Sequence, residues 1–428
     1  MEEKRKENIK VTEDLIDFIH RSPSRYHAVA NAEALLQKAG FTELNESQRW
    51  IIERGMSYYV KRNSSALIGF RIPREEECRW SMISAHTDSP SFKIKGKPEI
   101  ASDQYTTLNV EGYGGMLMAP WFDRPLSIAG RVFIQNGGKV EERLVDFDQD
   151  LCQIVNLAIH QNREANNGVA YKVQQDLLPI IGLGKKPGLI SKMISSKLGI
   201  AETDILDSDL FLYNRTRGTI WGAENELFSS AQIDDLQCAY CAIQALIAAK
   251  DGASIKVSAL FDNEEVGSGT RQGALSDFLC DVVDRIGTGL GWDSEKKYMS
   301  KSVSLMVSAD NGHAFHPNHP ETSDVTNHIL MNGGVVIKYS GNQKYATDAG
   351  TGAKFKAILR SNEVPYQEFF NNSNIPGGST LGNLSTTKYS IPTVDIGAAQ
   401  LAMHSPYETA GTDDTSTMLK AMKCFLEN

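Results

Sequence analysis

The sequence predicts an α/β protein carrying a β-rich insertion, and three observations support that expectation. Short apolar, β-branched runs recur and break off into turns bearing acids or histidines; helical stretches lie between them; and from Phe92 to Leu227 the texture shifts to short strand-like pieces with many glycines. In an open α/β sheet, ligands bind beyond the carboxyl ends of the strands, so residues just after each strand are the first candidates for chemistry. Residues 1–92 and 231–428 are accordingly expected to form one domain, and 93–230 an inserted one.

At 428 residues, with 41% hydrophobic and 23% charged, the chain has ordinary globular composition and is long enough for this arrangement. Its formal net charge of −9 argues against a nucleic-acid partner. There is no long apolar segment, and MEEKRKENIK at the N-terminus is charged, so neither a secretory signal nor a membrane span is expected and the protein is read as cytoplasmic. The 6 cysteines are scattered, which suits reduced thiols. Cys238 and Cys241 form C-x-x-C inside LQCAYCAIQALIAA, an alanine-rich run where i and i+3 share a helix face, so both are expected in the core.

In chain order, VTEDLIDFIH and AVANAEALLQKAG read as two helices separated by Ser22-Pro23-Ser24 and stopped by Gly40. Tyr58–Val60, Ala66–Ile72 and Arg79–Ser84 read as strands, the last running into SAHTDSP. There His86 can supply a metal bond, with Asp88 two residues on fixing its ring. The insertion holds His160 in LCQIVNLAIHQNR, where a lone histidine has no functional signal of its own. In QIDDL, Asp234 and Asp235 open the alanine-rich helix, where carboxylates commonly complement the helix dipole.

The strongest stretch is IKVSALFDNEEVGS. Ile255–Phe261 has strand length and composition, then gives way to Asp262, Asn263 and the adjacent Glu264 and Glu265 before two glycines. Neighbouring residues point in different directions, so one glutamate can hold a metal while the other faces a bound water. Val303–Val307 is a further strand, ending at Asp310; His313, His316 and His319 follow, with Pro317 and Pro320 breaking any helix that would align them. The last strand-like run, PTVDIGAAQLAMHSPYE, leads to His404. His86, Asp234, Glu265, Asp310 and His404 therefore form a plausible set for two divalent cations, with Asp234 bridging, His86 and Asp310 on one ion, and Glu265 and His404 on the other. Glu264 is left free as a base. No H-E-x-x-H, G-x-S-x-G, Walker loop or Rossmann glycine fingerprint supports a rival chemistry.

With these motifs in view, the chain resembles the aspartyl aminopeptidases, metallopeptidase family 18, as a bacterial-type member. The resemblance rests on SAHTDSP, GMLMAPWFDRPLSIAGRV, NLAIHQNR, QIDDL, FDNEEVGS, VSADNGHAFHPN, IKYSGNQKYAT, GGSTLG and MHSPYE, in that order from near residue 11 to near residue 415. It implies a zinc-peptidase-like three-layer catalytic domain with a central mixed sheet, plus an inserted β-rich dimerisation domain. It also implies two cations per subunit, zinc foremost with manganese or cobalt as alternatives, Glu264 as general base and Asp88 orienting His86. Family members build tetrahedral dodecamers from dimers, and the match to His160 enters a neighbour's active site. Lys338, Tyr345 and His313 match substrate-binding positions, Lys338 meeting an acidic side chain.

The sequence departs from the family pattern at Asn372, Asn374 and Gly378, where Arg, Asp and Cys are usual, and at Asp235 (for Asn) and Lys344 (for Arg). The expected activity is an aminopeptidase releasing single N-terminal residues, Asp or Glu favoured and the range broader than the family name suggests. The alternatives are a dinuclear carboxypeptidase or deacylase on a related fold, and an assembly or cargo protein that has lost activity.

Overall fold

All seven residues of Ile255–Phe261 are buried, as a strand covered on both faces requires. In the computed structural model, which describes residues 2–428, this strand lies parallel to Trp80–His86, whose other edge pairs in parallel with Leu305–Ala309, itself parallel to Thr393–Gly397. Ala66–Arg71, Ser57–Arg62 and Thr42–Leu44 extend the sheet on one side, Val335–Tyr339 and Tyr366–Phe370 on the other, completing a mixed sheet of nine strands.

Side chains alternate across a strand, and Trp80–His86 shows what each face meets. Ile83 and Ala85 pack with Leu15, Leu36, Leu246 and Phe425, from the helices Glu2–His20, Arg25–Lys38, Ile233–Ala248 and Asp414–Glu427. Trp80 and Met82 pack with Phe278, Val282 and Ile286 of the helix Phe278–Gly289. Helices therefore cover both faces, giving the three-layer α/β architecture expected.

Between Ser91 and Asn214 the chain builds a separate antiparallel sheet of six strands, with its own core around Phe92, Ile128 and Leu212 and the helix Leu189–Leu198 against it through Ile190 and Ile194. A third sheet, of five short strands, pairs Leu227–Ser230 with Glu408–Gly411 and carries Gly312–His313 at its edge.

Two elements differ from expectation. The first helix begins at Glu2 rather than near residue 11. Val303 ends the helix Ser294–Val303 instead of opening a strand: Asp293 caps that helix by accepting from Lys296 N–H, and the strand starts at Leu305. β-Branched Val303 is 54% exposed, so its strand-forming shape found no sheet to pack in. Cys238 and Cys241 are buried, unpaired thiols on the helix Ile233–Ala248. Among the described residues, no helix is long and apolar enough to cross a membrane.

Candidate metal centre

The parallel strands deliver chemistry at their carboxyl ends. His86 is the last residue of Trp80–His86, Asp310 follows Leu305–Ala309, and the Asp262–Glu265 turn follows Ile255–Phe261. Asn263 adopts φ 63°, a left-handed conformation asparagine tolerates, and turns the chain into a single helical turn at Glu264–Val266. Asp234 and Asp235 stand at the start of Ile233–Ala248, where the backbone of both is still non-helical.

The structure brings His86, Asp234, Glu264, Glu265, Asp310 and His404 together. Ligand-capable atoms lie within 4.8 Å of one another in each of three groups: His86, Asp234, Asp235 and Asp310; Asp234, Glu265 and His404; and His86, Glu264 and Glu265. Asp234 belongs to the first two. Its Oδ1 is 3.3 Å from His86 Nε2 and its Oδ2 3.5 Å from His404 Nε2, while Glu265 Oε2 is 3.3 Å from the same His404 nitrogen. One carboxylate thus faces two imidazoles with different oxygens.

Neighbouring residues fix these side chains. Asp88 accepts from the backbone N–H groups of Glu264 and Glu265, at 3.1 Å each, and its Oδ1 lies 3.5 Å from His86 Nδ1. Glu408 accepts from His404 N–H at 2.7 Å with one oxygen and from Asp234 N–H at 3.0 Å with the other. Asp235 Oδ2 accepts from His86 N–H at 3.1 Å. Sequence reasoning missed Glu408 and gave Asp235 no place here, because nothing in a local pattern reveals a carboxylate bonded to backbone far along the chain.

Electrostatics follow from burial and crowding. Burial would raise the Asp234 pKa, but the His404 and His86 imidazoles facing it hold it well below the usual carboxylate range. Burial pushes Glu264 up to about 8, with the charges of Asp310 and Asp88 adding to it against the opposing pull of His86. Burial pushes Glu408 to about 8 as well. Burial also works to lower His404, yet Asp234, Glu408 and the Gly115 backbone outweigh it and raise it.

The donor set fits a divalent metal. Asp234 Oδ1, Asp235 Oδ1 and Glu265 Oε1 are buried oxygens with no hydrogen-bond partner in the protein, and burying such groups uncompensated is costly. Imidazole nitrogen with carboxylate oxygen is the mixture that zinc, manganese or cobalt accepts.

The expected substrate-binding positions are less uniform. Lys338, 3% exposed, donates to the Asn311 carbonyl at 2.8 Å, stands 3.8 Å from Asp310 Oδ1, and has its ammonium 5.5 Å from the centre of the Tyr345 ring. His313 keeps an exposed face although much protein surrounds it, and that crowding together with the Lys338 charge lowers its pKa. His160 stands apart: it is exposed on a turn of the insertion and belongs to none of the three groups.

A three-layer α/β sheet with histidines and carboxylates converging at its carboxyl edge is the construction of a metal-dependent hydrolase. The profile of the family described as Aminopeptidase I zinc metalloprotease (M18) matches residues 18–426. A probable M18 family aminopeptidase 2 from Clostridium novyi is 42% identical over 98% of this chain and 99% of its own. Among solved structures, a chain in the cryo-EM structure of the Ape4 and Nbr1 complex superposes with a TM-score of 0.94 at 33% identity, covering 98% of this chain and 86% of that one. The S. cerevisiae mApe1 dodecamer gives 0.86 at 26% identity, over 97% and 96%. The chain belongs to the M18 aminopeptidase family and is a zinc-type metalloaminopeptidase.

Proposed function

We propose that this chain is a dinuclear aminopeptidase releasing single N-terminal residues from peptides, with a graded preference for Asp and Glu. The observation that carries the dinuclear reading is Asp234, whose two oxygens face two different histidines in two different ligand groups. His86, Asp234 and Asp310 would hold one cation, and Asp234, Glu265 and His404 the other. When bound, such cations activate water and stabilise the oxyanion of the tetrahedral transition state.

The chain's own residues supply the proton traffic. Glu264 takes a proton from the attacking water and passes it to the departing amine, a role left to it because it stands among the ligand groups but in neither proposed cation set. Asp88 holds the Glu264 backbone with its carboxylate, and its backbone carbonyl, 3.0 Å from His86 Nδ1, steadies the His86 ring. Lys338 offers the positive charge for an acidic first residue, with Tyr345 and His313 beside it. Its ammonium is already engaged with Asn311 and Asp310, so a substrate carboxylate shares that charge, which supports preference rather than strict selectivity.

Residues 1–92 and 231–428 form the catalytic domain in this reading, and 93–230 the oligomerisation domain. The likeness to the mApe1 dodecamer supports a homo-oligomer; in this reading it is a tetrahedral dodecamer built from dimers, in which His160 serves a neighbouring active site. The 6 free thiols suit a cytoplasmic setting.

Hydrolysis of Asp-, Glu-, Leu- and Ala-anilides beside C-terminally free and N-acylated peptides, with metal-loaded protein, tests the activity. Turnover of the anilides, fastest for Asp and Glu, is expected. Cleavage only of the acylated or C-terminal substrates would move the protein to the carboxypeptidase or deacylase class, and no turnover by the loaded protein would leave an assembly role.

A further inference from the structure

One of the places where the six-stranded sheet meets the metal centre is the segment Tyr113 to Leu117, where the strand Tyr105–Tyr113 ends. The Tyr113 hydroxyl donates to Asp88 Oδ2 at 2.7 Å and accepts from Asn263 Nδ2 at 2.9 Å. Asp88 in turn accepts from the N–H groups of Glu264 and Glu265. A single phenol is therefore two hydrogen bonds from both consecutive glutamates.

Its ring is held from above and from the side. The Arg25 guanidinium lies 3.9 Å over the Tyr113 ring and is itself bonded to Asp262 at 3.0 Å, both side chains being buried, while Phe211 meets the ring edge-on at 5.8 Å. The next residues continue the grip. Gly114, at φ 74°, approaches so closely that a methyl group there would sit 3.1 Å from Glu265 Cβ, and Leu117 N–H donates to the His404 carbonyl at 3.1 Å.

We propose that Tyr113 is a positioning residue: with Gly114 behind it, it transmits the seating of the six-stranded sheet to the Glu264–Glu265 turn. The physical step is simple. Without the phenol, Asp88 loses a charge-assisted donor on Oδ2, the oxygen that also accepts from Glu265 N–H, and its carboxylate is free to turn, releasing the backbone it was holding. The inference rests on the reading of Glu264 as the base.

Tyr113→Phe removes one oxygen and keeps the ring under Arg25. At saturating metal, kcat should fall about tenfold or more, within the range seen for groups that orient ligands, while KM stays within about twofold; the metal concentration needed for half-saturation should rise, because Glu265 rides on the same turn. Added to Glu264→Gln, the same change should alter turnover by less than about twofold, because the base it positions is gone. Equal fractional losses in both backgrounds, or an effect on KM alone, would overturn the proposal. Glu264→Gln alone separates the two claims: near-normal turnover of that variant defeats the base and this inference together, whereas its collapse with an additive Tyr113→Phe defeats only the inference. Gly114→Ala is a second probe on the same segment. It should displace Glu265 and lower metal content, and full metal content with full activity would equally overturn the proposal.

Discussion

The two halves of the metal cluster are built differently. His86 and Asp310 leave directly from adjacent parallel strands and are 1% and 8% exposed. Glu265 and His404 sit on turns, His404 at φ 67° with its side chain 32% exposed, and both depend on residues brought from elsewhere. Backbone bonding to the neighbouring strand holds Asp310, and His86 needs in addition only Asp235 on its N–H and the Asp88 carbonyl on its ring. The second pair needs Asp88 under one residue and Glu408 under the other. The difference teaches that the strand-end half should be stiff and hard to strip, and the turn half the place where metal is gained and lost.

The largest expected effect breaks the turn half outright. Glu265→Ala or His404→Ala should lose one ion per subunit and nearly all turnover, since water replaces a lost protein ligand poorly. Elemental analysis and anilide hydrolysis read both quantities on the same sample.

A smaller and more selective effect is expected beside the strand-end half. Lys338→Met should cost Asp- and Glu-anilides about 5- to 150-fold in kcat/KM while sparing Leu-anilide. If all three fall together, Lys338 acts by holding Asp310 rather than by meeting substrate.

Glu408→Gln keeps the shape but replaces one acceptor oxygen with a donor, so it should weaken metal affinity about 10- to 100-fold, mainly at the His404 end. A chelator titration should show one ion leaving earlier than in the parent protein. Simultaneous loss of both ions would erase the contrast between the halves.

The smallest effect is on stability. Burial raises Glu264 and Glu408 to about 8 and Asp414 to about 7, against roughly 4 in an unfolded chain. At these three groups the metal-free fold therefore binds more protons than the unfolded chain. Its stability from these groups is full below about pH 4 and is lost as pH rises through about 7 to 8. Bound cations favour the ionised carboxylates around them, so the melting temperature of chelated protein should drop by a few degrees between pH 5 and 8.5 while the loaded protein changes less. Parallel slopes in the two samples would contradict this.

The same contrast explains what the sequence made legible. His86, Asp310 and the Glu264–Glu265 pair each follow a recognisable strand, and a strand of the right composition announces where its last side chain will point. The core placement of Cys238 and Cys241 followed from helical spacing in the same way. Tyr113 and Arg25 were invisible because their partners lie 25 and 237 residues away, and Glu408 because the bond that carries it to Asp234 spans 174, bonds that only the folded chain defines. Val303 misled for the opposite reason: its shape favours a strand, but packing decided for the helix.

In the proposed dinuclear centre Asp234 joins the two halves, so metal stoichiometry is the most direct test. Elemental analysis of the purified protein, of His404→Ala and of Asp234→Ala, each equilibrated with the same metal, should give two ions per subunit, then one, then less than one. A His404→Ala protein that keeps two ions, or a parent protein that saturates at one, would contradict a centre bridged by Asp234.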